Sequence, residues 1–228
     1  MMSIKKSRFK TVCSRFFYNT LTWMDFFVHR YIYIGFFSFN GTPYRYFIHL
    51  YNTTWKCERA VEIPIVMRWI SSKGHSNVLE IGNVLSHYFD FKHDIVDKYE
   101  KAEGVINVDV LDFVADKRYD LIVAISTLEH IGWDEKPRDP GKIPGCIRHL
   151  KKLLSKGGTL ILTVPAGYNS YLDDIIRERA IEQAQFYHFK RTGRIRWVQS
   201  EFKDIDGLPY GSPWGAANAL TIVSLTNQ

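Results

Sequence analysis

The chain predicts an α/β fold: a doubly wound, mainly parallel sheet of seven strands, preceded by a basic, aromatic-rich N-terminal extension. Three observations carry this expectation. Runs such as YDLIVAI (119–125) and TLILTV (159–164) are apolar on nearly every residue rather than on alternate ones, which suits strands buried on both faces of a parallel sheet. Between them lie stretches whose apolar residues recur at three and four, the helical period. The runs also end on Gly, Asp or Ser, at the strand ends where open α/β sheets bind ligands.

The elements follow in order. Residues 1–42 read as an irregular, aromatic-rich lead-in, and 43–57 as an extended segment that then turns. Residues 58–72 read as a helix, with Val61, Ile65 and Trp69 on one row and Ile63, Val66 and Ile70 beside it. Pro64 belongs in its first turn or kinks it. Strands are expected at 77–82, 94–97, 105–108 and 119–126. Residues 146–154 form a helix with Ile147, Leu150, Leu153 and Leu154 inward and Lys151 and Lys152 outward, closed by Lys156 and Gly157. A fifth strand at 159–164 leads to a helix at 171–188. The last two strands, 195–199 and 218–225, flank a Gly/Pro-rich loop at 207–215. Two units result: an extension over 1–57 and a ligand-binding domain over 58–228.

At 228 residues, with 46% hydrophobic and 24% charged residues, the composition is that of a globular protein and excludes wholesale disorder. The net charge of +6 is unevenly placed: residues 1–60 carry nine basic and two acidic side chains, which leaves the main domain near neutral. That argues against a broad phosphate-tracking surface and hence against nucleic acid. The extension is either a solvated aromatic appendage or a peripheral contact with an anionic membrane through residues 1–42. The most apolar stretch, 21–39, is interrupted by Asp25, His29 and Arg30, so no membrane span is expected. Cys13, Cys57 and Cys146 are odd in number and far apart, which suits reduced thiols in the cytoplasm. No histidine or cysteine spacing suggests a metal site.

The strand ends hold the candidate chemistry. Glu80 and Gly82 close the first strand, the glycine permitting a sharp turn beneath a ligand. Asp97 closes the second, seventeen residues after Glu80, about where a carboxylate takes a ribose diol. Asp109 and Val110 follow the third and suit an adenine edge, the carboxylate accepting from the exocyclic amine. Ser126, Glu129 and His130 follow the fourth.

These residues resemble a family. NVLEIGN (77–83), Asp97, Asp109, YDLIVAISTLEHI (119–131) and LKKLLSKGGTLILTVP (150–165) are similar to the class I S-adenosylmethionine-dependent methyltransferases, well over about 58–165 and by strand order alone beyond. The resemblance implies a Rossmann-like fold whose seven-stranded sheet ends in an antiparallel hairpin formed by the last two strands, with S-adenosylmethionine as cofactor. It implies that Glu80, Gly82 and Asn83 line the methionine end, Asp97 the ribose, and Asp109 and Val110 the adenine, with Ser126 offering backbone contacts. The family's glycine-rich turn often reads ExGxGxG; here its later positions are Val84 and Ser86.

In-line methyl transfer to an oxygen or nitrogen calls for alignment and, for some acceptors, a base. His130 is the leading candidate and Glu129 the second; the alternative is that this pair caps and packs a helix. The resemblance places Arg59, Glu62 and the aromatic run 51–55 in a roof over the cleft, though Arg59 and Glu62 equally suit a plain i,i+3 helix pair. Tyr168, Asn169, Tyr210 and Trp214 fit an acceptor pocket for a small molecule or glycan, or, for Tyr210 and Trp214, a flexible hairpin tip. A nicotinamide-dependent oxidoreductase would need G-x-G-x-x-G after the first strand, but Val84 and His87 stand at its second and third glycines. A non-enzymatic membrane- or nucleic-acid-associated module, led by the basic N-terminus, is the third reading.

Overall fold

A computed structural model describes residues 20–32, 35–72, 74 and 76–228. The basic run Lys5–Arg15 and Cys13, part of the expected extension, lie outside the described residues. Ten strands are described: β1 (Phe36–Phe39), β2 (Thr42–Arg45), β3 (Val78–Ile81), β4 (Asp94–Val96), β5 (Val105–Ile106), β6 (Tyr119–Ile125), β7 (Leu154–Pro165), β8 (Ala184–Arg191), β9 (Trp197–Ser200) and β10 (Ala219–Thr226). Three helices accompany them: α1 (Arg59–Ser72), α2 (Lys142–Leu153) and α3 (Ser170–Arg177). Residues 20–32 add a helical segment whose end, Val28–Ile32, is a π-turn.

The main sheet has the order β5-β4-β3-β6-β7-β10-β8-β9. Pairing is parallel from β5 through β7 and antiparallel from β7 through β9. The chain moves outward through β3, β4 and β5, then returns to lay β6 on the other side of β3. The crevice between β3 and β6 is therefore a topological switch point, where such sheets bind ligands.

Each face of the sheet has its own core, fixed by the two-residue period of the strands. Leu121, Val123, Ile125, Ile161, Leu220 and Ile222 pack against α1 and the segment 37–55. Ile122, Ala124, Leu160, Leu162, Val164 and Val223 pack against α2 and α3. Pro64 sits inside α1 and has no N–H for the carbonyl four residues back. That carbonyl, Ala60 O, instead accepts from Phe47 N at 3.0 Å, so the proline's missing donor ties the preceding segment to the helix.

The α/β class, the mainly parallel sheet and its antiparallel C-terminal end are as the sequence predicts. Several details differ. The main sheet has eight strands and not seven, because the helix expected at 171–188 ends at Arg177 and β8 occupies 184–191. Arg179 (φ 51°) and Gln183 (φ 61°) make the intervening turns; neither is a glycine, so the break carries no signal. The last two strands do not pair with each other: β10 inserts between β7 and β8, and β9 pairs with β8 at the edge. The connections between β3, β4, β5 and β6 carry turns in place of α-helices. The end of the lead-in, read as irregular, forms β1 and pairs in a hairpin with β2 at the start of the segment read as extended; Asn40 (φ 50°) and Gly41 (φ 77°) close the hairpin, which buries Phe37 and Phe39 in the α1-side core. Among the described residues no helix is long and apolar enough to cross a membrane.

Candidate active site

The end of β3 sets the geometry. Val78 and Glu80 share a strand face, so Glu80 turns toward the α1 side and is fully buried. One carboxylate oxygen accepts from Val84 N (3.0 Å) and Leu85 N (2.8 Å), and the other meets His93 Nε2 at 2.7 Å. Glu80 thus holds the turn that glycines would otherwise shape. Burial disfavours the imidazolium of His93, but the Glu80 hydrogen bond, the Phe91 carbonyl and the charges of Glu80 and Asp94 together outweigh it and raise the pKa. Gly82 has φ +81°, and a Cβ there would lie 2.9 Å from Thr127 Cγ2 and closer still to Oγ1. Only glycine lets β3 and the loop after β6 approach so closely.

Asp97 closes β4. Its Oδ1 accepts from Tyr99 N and Glu100 N, both at 2.8 Å, and its Oδ2 from Asn83 N at 3.2 Å. Asn83 donates through Nδ2 to Glu100 Oε1 (2.7 Å) and accepts from Ser86 Oγ. Ser86, at a family glycine position, thereby locks the turn. Asp109 faces Asp97 across the cleft. Lys98 Nζ bridges Asp109 Oδ2 and Glu135 Oε1, 2.9 Å from each. Burial pushes the Asp109 carboxyl up, yet the Lys98 and Leu111 N–H hydrogen bonds and the charges of Lys98 and Lys142 together overcome it, and the pKa is lowered.

At the end of β6, Ser126 adopts φ +41°, a strained conformation for a non-glycine residue and one found at functional sites. Its N–H donates to Thr163 O and Oγ1, both at 3.0 Å, and its Oγ to Glu62 Oε1 at 2.5 Å. Glu62 also accepts from Thr163 Oγ1 (2.6 Å) and pairs with Arg59 Nη1 (2.5 Å), clamping α1 onto the ends of β6 and β7. Glu129 is 1% exposed, and its Oε2 has no hydrogen-bond partner. Burial, reinforced by the Glu62 carboxylate, raises its pKa well above the ordinary range. His130 projects outward with its side chain 48% exposed. Its Nδ1 meets Asp134 Oδ2 at 2.6 Å, and Tyr168 Oη donates to the same oxygen at 2.8 Å. Burial raises the Asp134 carboxyl, but these two hydrogen bonds outweigh it and hold its pKa down. In the neutral ring, an ionised Asp134 selects the tautomer with Nδ1–H donating and the lone pair on Nε2.

Gly82, Asn83, Asp97, Asp109, Val110, Ser126 and His130 line one cleft of about 380 Å³, within the roughly 300–1,000 Å³ of small-molecule sites. The N-methyltransferase NodS from Bradyrhizobium japonicum WM9, solved in complex with S-adenosyl-L-homocysteine, superposes with a TM-score of 0.50. Its identity is 14% over 75% of this chain and 87% of that one. The fold is that of the class I S-adenosylmethionine-dependent methyltransferases. StiE O-MT residues 961–1257 (TM-score 0.47, 12% identity, 75% of this chain and 74% of that one) are also similar. So is a SAM-dependent methyltransferase from Archaeoglobus fulgidus (0.46, 14%, 72% and 92%). No protein-family model matches the chain, and no curated protein is similar to it in sequence.

On this methyltransferase fold, seven of the nine site residues singled out from the sequence meet in the cleft. Glu80 and Glu129 stand behind its wall. Sequence reasoning passed over Lys98, Thr127, Asp134 and Glu135. Asp134 had a legible signal, four residues after His130; Lys98 had none, since its role depends on the β4–β5 turn bringing it to Asp109. Among the described residues no group of three or more His, Cys, Asp or Glu is placed to hold a metal ion.

Proposed function

We propose that the chain is a methyltransferase that uses S-adenosylmethionine to methylate a small-molecule or glycan acceptor beside His130. The observation that carries this is the gathering of Gly82, Asp97, Asp109 and His130 from four successive strand ends into one cleft at the β3/β6 switch point. The Gly82 turn and Asn83 hold the methionine end, the Asp97 carboxylate the ribose, and Asp109 and Val110 the adenine, with Lys98 giving way. When bound, the cofactor supplies an electrophilic methyl group on a sulfonium. Positioning by the cleft contributes roughly 7–11 kcal/mol of barrier reduction. His130 takes the acceptor's proton at Nε2, held in the required tautomer by Asp134, a contribution of about 10²–10⁴-fold. Glu129 is the second candidate base; its burial disfavours the carboxylate that a base requires, which ranks it behind His130. The near-neutral main domain favours a small acceptor over a nucleic acid, and the free thiols of Cys57 and Cys146 suit the cytoplasm. Residues 58–228 constitute the cofactor domain, and 1–57 its extension.

A nicotinamide oxidoreductase is disfavoured because the turn after Gly82 enters the three-residue turn Leu85–His87 and presents no long helix N-terminus to a pyrophosphate. Titration calorimetry with S-adenosylmethionine, S-adenosylhomocysteine and NAD on the parent and on Asp97→Ala tests the proposal. The first two should bind the parent, NAD should not, and the substitution should weaken both. Equal binding by the folded variant, or preferential binding of NAD, refutes it.

A further inference from the structure

We propose that the helical segment 20–32 docks the protein on an anionic lipid surface, lying in the plane of the interface. This inference is independent of the methyl-transfer reading. The segment is turned inside out relative to an ordinary surface helix. Its charged residues and its histidine are tied to the protein or to one another. Asp25 Oδ2 accepts from Trp55 Nε1 at 2.9 Å and meets Arg194 Nη2 at 2.8 Å, while Asp25 Oδ1 meets His29 Nε2 at 3.2 Å. Arg30 Nη1 donates to Ile48 O at 3.3 Å, and Phe26 packs on buried Trp55 with ring centroids 5.6 Å apart. The three residues that interrupt the apolar stretch in the sequence are thus the ones that anchor it.

The outward face is left to Leu21, Trp23, Met24, Phe27, Val28, Tyr31 and Ile32, each between 42 and 68% exposed. Rows at 23, 27 and 31 and at 21, 24, 28 and 32 make this a continuous stripe, and contiguous exposed apolar surface of this kind marks an interaction site. Charge identifies the occupant. Residues 1–24 contain Lys5, Lys6, Arg8, Lys10 and Arg15 and no acid at all. The first acid, Asp25, is spent on the pairs just described, and Arg45 and Arg194 flank the segment. Basic residues beside a Trp- and Phe-bearing apolar face are the chemistry of helices that insert shallowly among anionic headgroups. Trp23 and Tyr31 are the side-chain types that settle at that depth.

The test is co-sedimentation of the full chain with vesicles of phosphatidylcholine alone and of phosphatidylcholine with about one third phosphatidylglycerol. Binding is expected to the anionic vesicles only, weakening as salt rises. Tryptophan emission should shift to the blue and be quenched by brominated lipid, with the quenching reduced in Trp23→Phe. Phe27→Glu, on the exposed face, should lower partitioning by about tenfold or more while leaving S-adenosylhomocysteine binding and the thermal midpoint unchanged. No binding, or equal binding to both vesicle types, overturns the proposal. So does a concentration-dependent dimer that Phe27→Glu dissolves without any vesicle binding, since the stripe then belongs to a second copy. Retention by an RNA oligonucleotide but not by anionic vesicles likewise overturns it.

Discussion

Replacing Gly82 by alanine tests the turn on which the cleft is built. At φ +81° an L-residue costs roughly 1–2 kcal/mol in backbone conformation. The new Cβ also lies 2.9 Å from Thr127 Cγ2 and nearer to Oγ1, and overpacking of this kind adds roughly 1–3 kcal/mol. The two together predict a loss of about 2–5 kcal/mol, or roughly 4–20 °C in melting temperature for a domain of this size. Thr127→Ala separates the contributions. It removes both clashing atoms and leaves Thr127 Cβ 3.2 Å from the new methyl, a contact that a small shift relieves. In a double-mutant cycle by urea denaturation, Gly82→Ala with Thr127→Ala should recover the packing part and keep the backbone part. Calorimetry with S-adenosylhomocysteine on the same four proteins should show the weakest binding in the Gly82→Ala single variant, where the new methyl is forced against Thr127. A Gly82→Ala protein as stable as the parent, or one that Thr127→Ala fails to relieve, contradicts the close approach of β3 to the β6 loop.

Glu62→Leu should cost about 3–5 kcal/mol, because it leaves the Arg59 guanidinium without its 2.5 Å partner and strips the acceptor from Ser126 and Thr163. Adding Arg59→Met should recover much of that loss in chemical denaturation. His188 gives a pH prediction. Its ring is buried against Thr221 Oγ1 (3.0 Å), and burial, helped by nearby Arg179, holds its pKa down at about 4. The folded value lies below the ordinary 6.5, so this stabilisation is complete above pH 6.5 and is lost as the pH falls from 6.5 toward 4. The full effect is roughly 3–4 kcal/mol. His188→Gln should flatten the stability profile over that window, and an unchanged slope would remove the assignment.

Much of the sheet was legible because its strands are continuous apolar runs. Tyr119–Ile125 and the apolar half of Leu154–Pro165 can hardly be anything but buried strands; the Lys/Gly pair at 156–157, which the sequence reads as a helix terminator, lies within β7, where its pairing with β6 shifts register. Ala184–Arg191 was not legible. Its residues AQFYHFKR are only partly buried, they follow a charged helical stretch without a glycine or proline, and Arg179 and Gln183 make the break by adopting positive φ. The Asn40-Gly41 hairpin did carry a signal, the dipeptide that favours a tight turn, hidden in an aromatic-rich segment read as irregular. Within the site, the strand-end acids and Gly82 follow from element order alone. Glu80 shows where that logic stops: alternation already places it on the face of Val78, away from the cleft, and its partners Val84, Leu85 and His93 appear only with the loop closed. Glu129 is the harder case, since nothing in LEH distinguishes a buried acid from an exposed one.

A crystal structure of the chain soaked with S-adenosylhomocysteine probes the cofactor assignment most directly. The adenosyl group should lie between Gly82, Asp97 and Asp109, its ribose hydroxyls on the Asp97 carboxylate, with Lys98 Nζ displaced from the 2.9 Å position it now holds against Asp109. Density for the ligand elsewhere, or a closed Lys98–Asp109 bridge with no ligand in the cleft at saturating concentration, would contradict it.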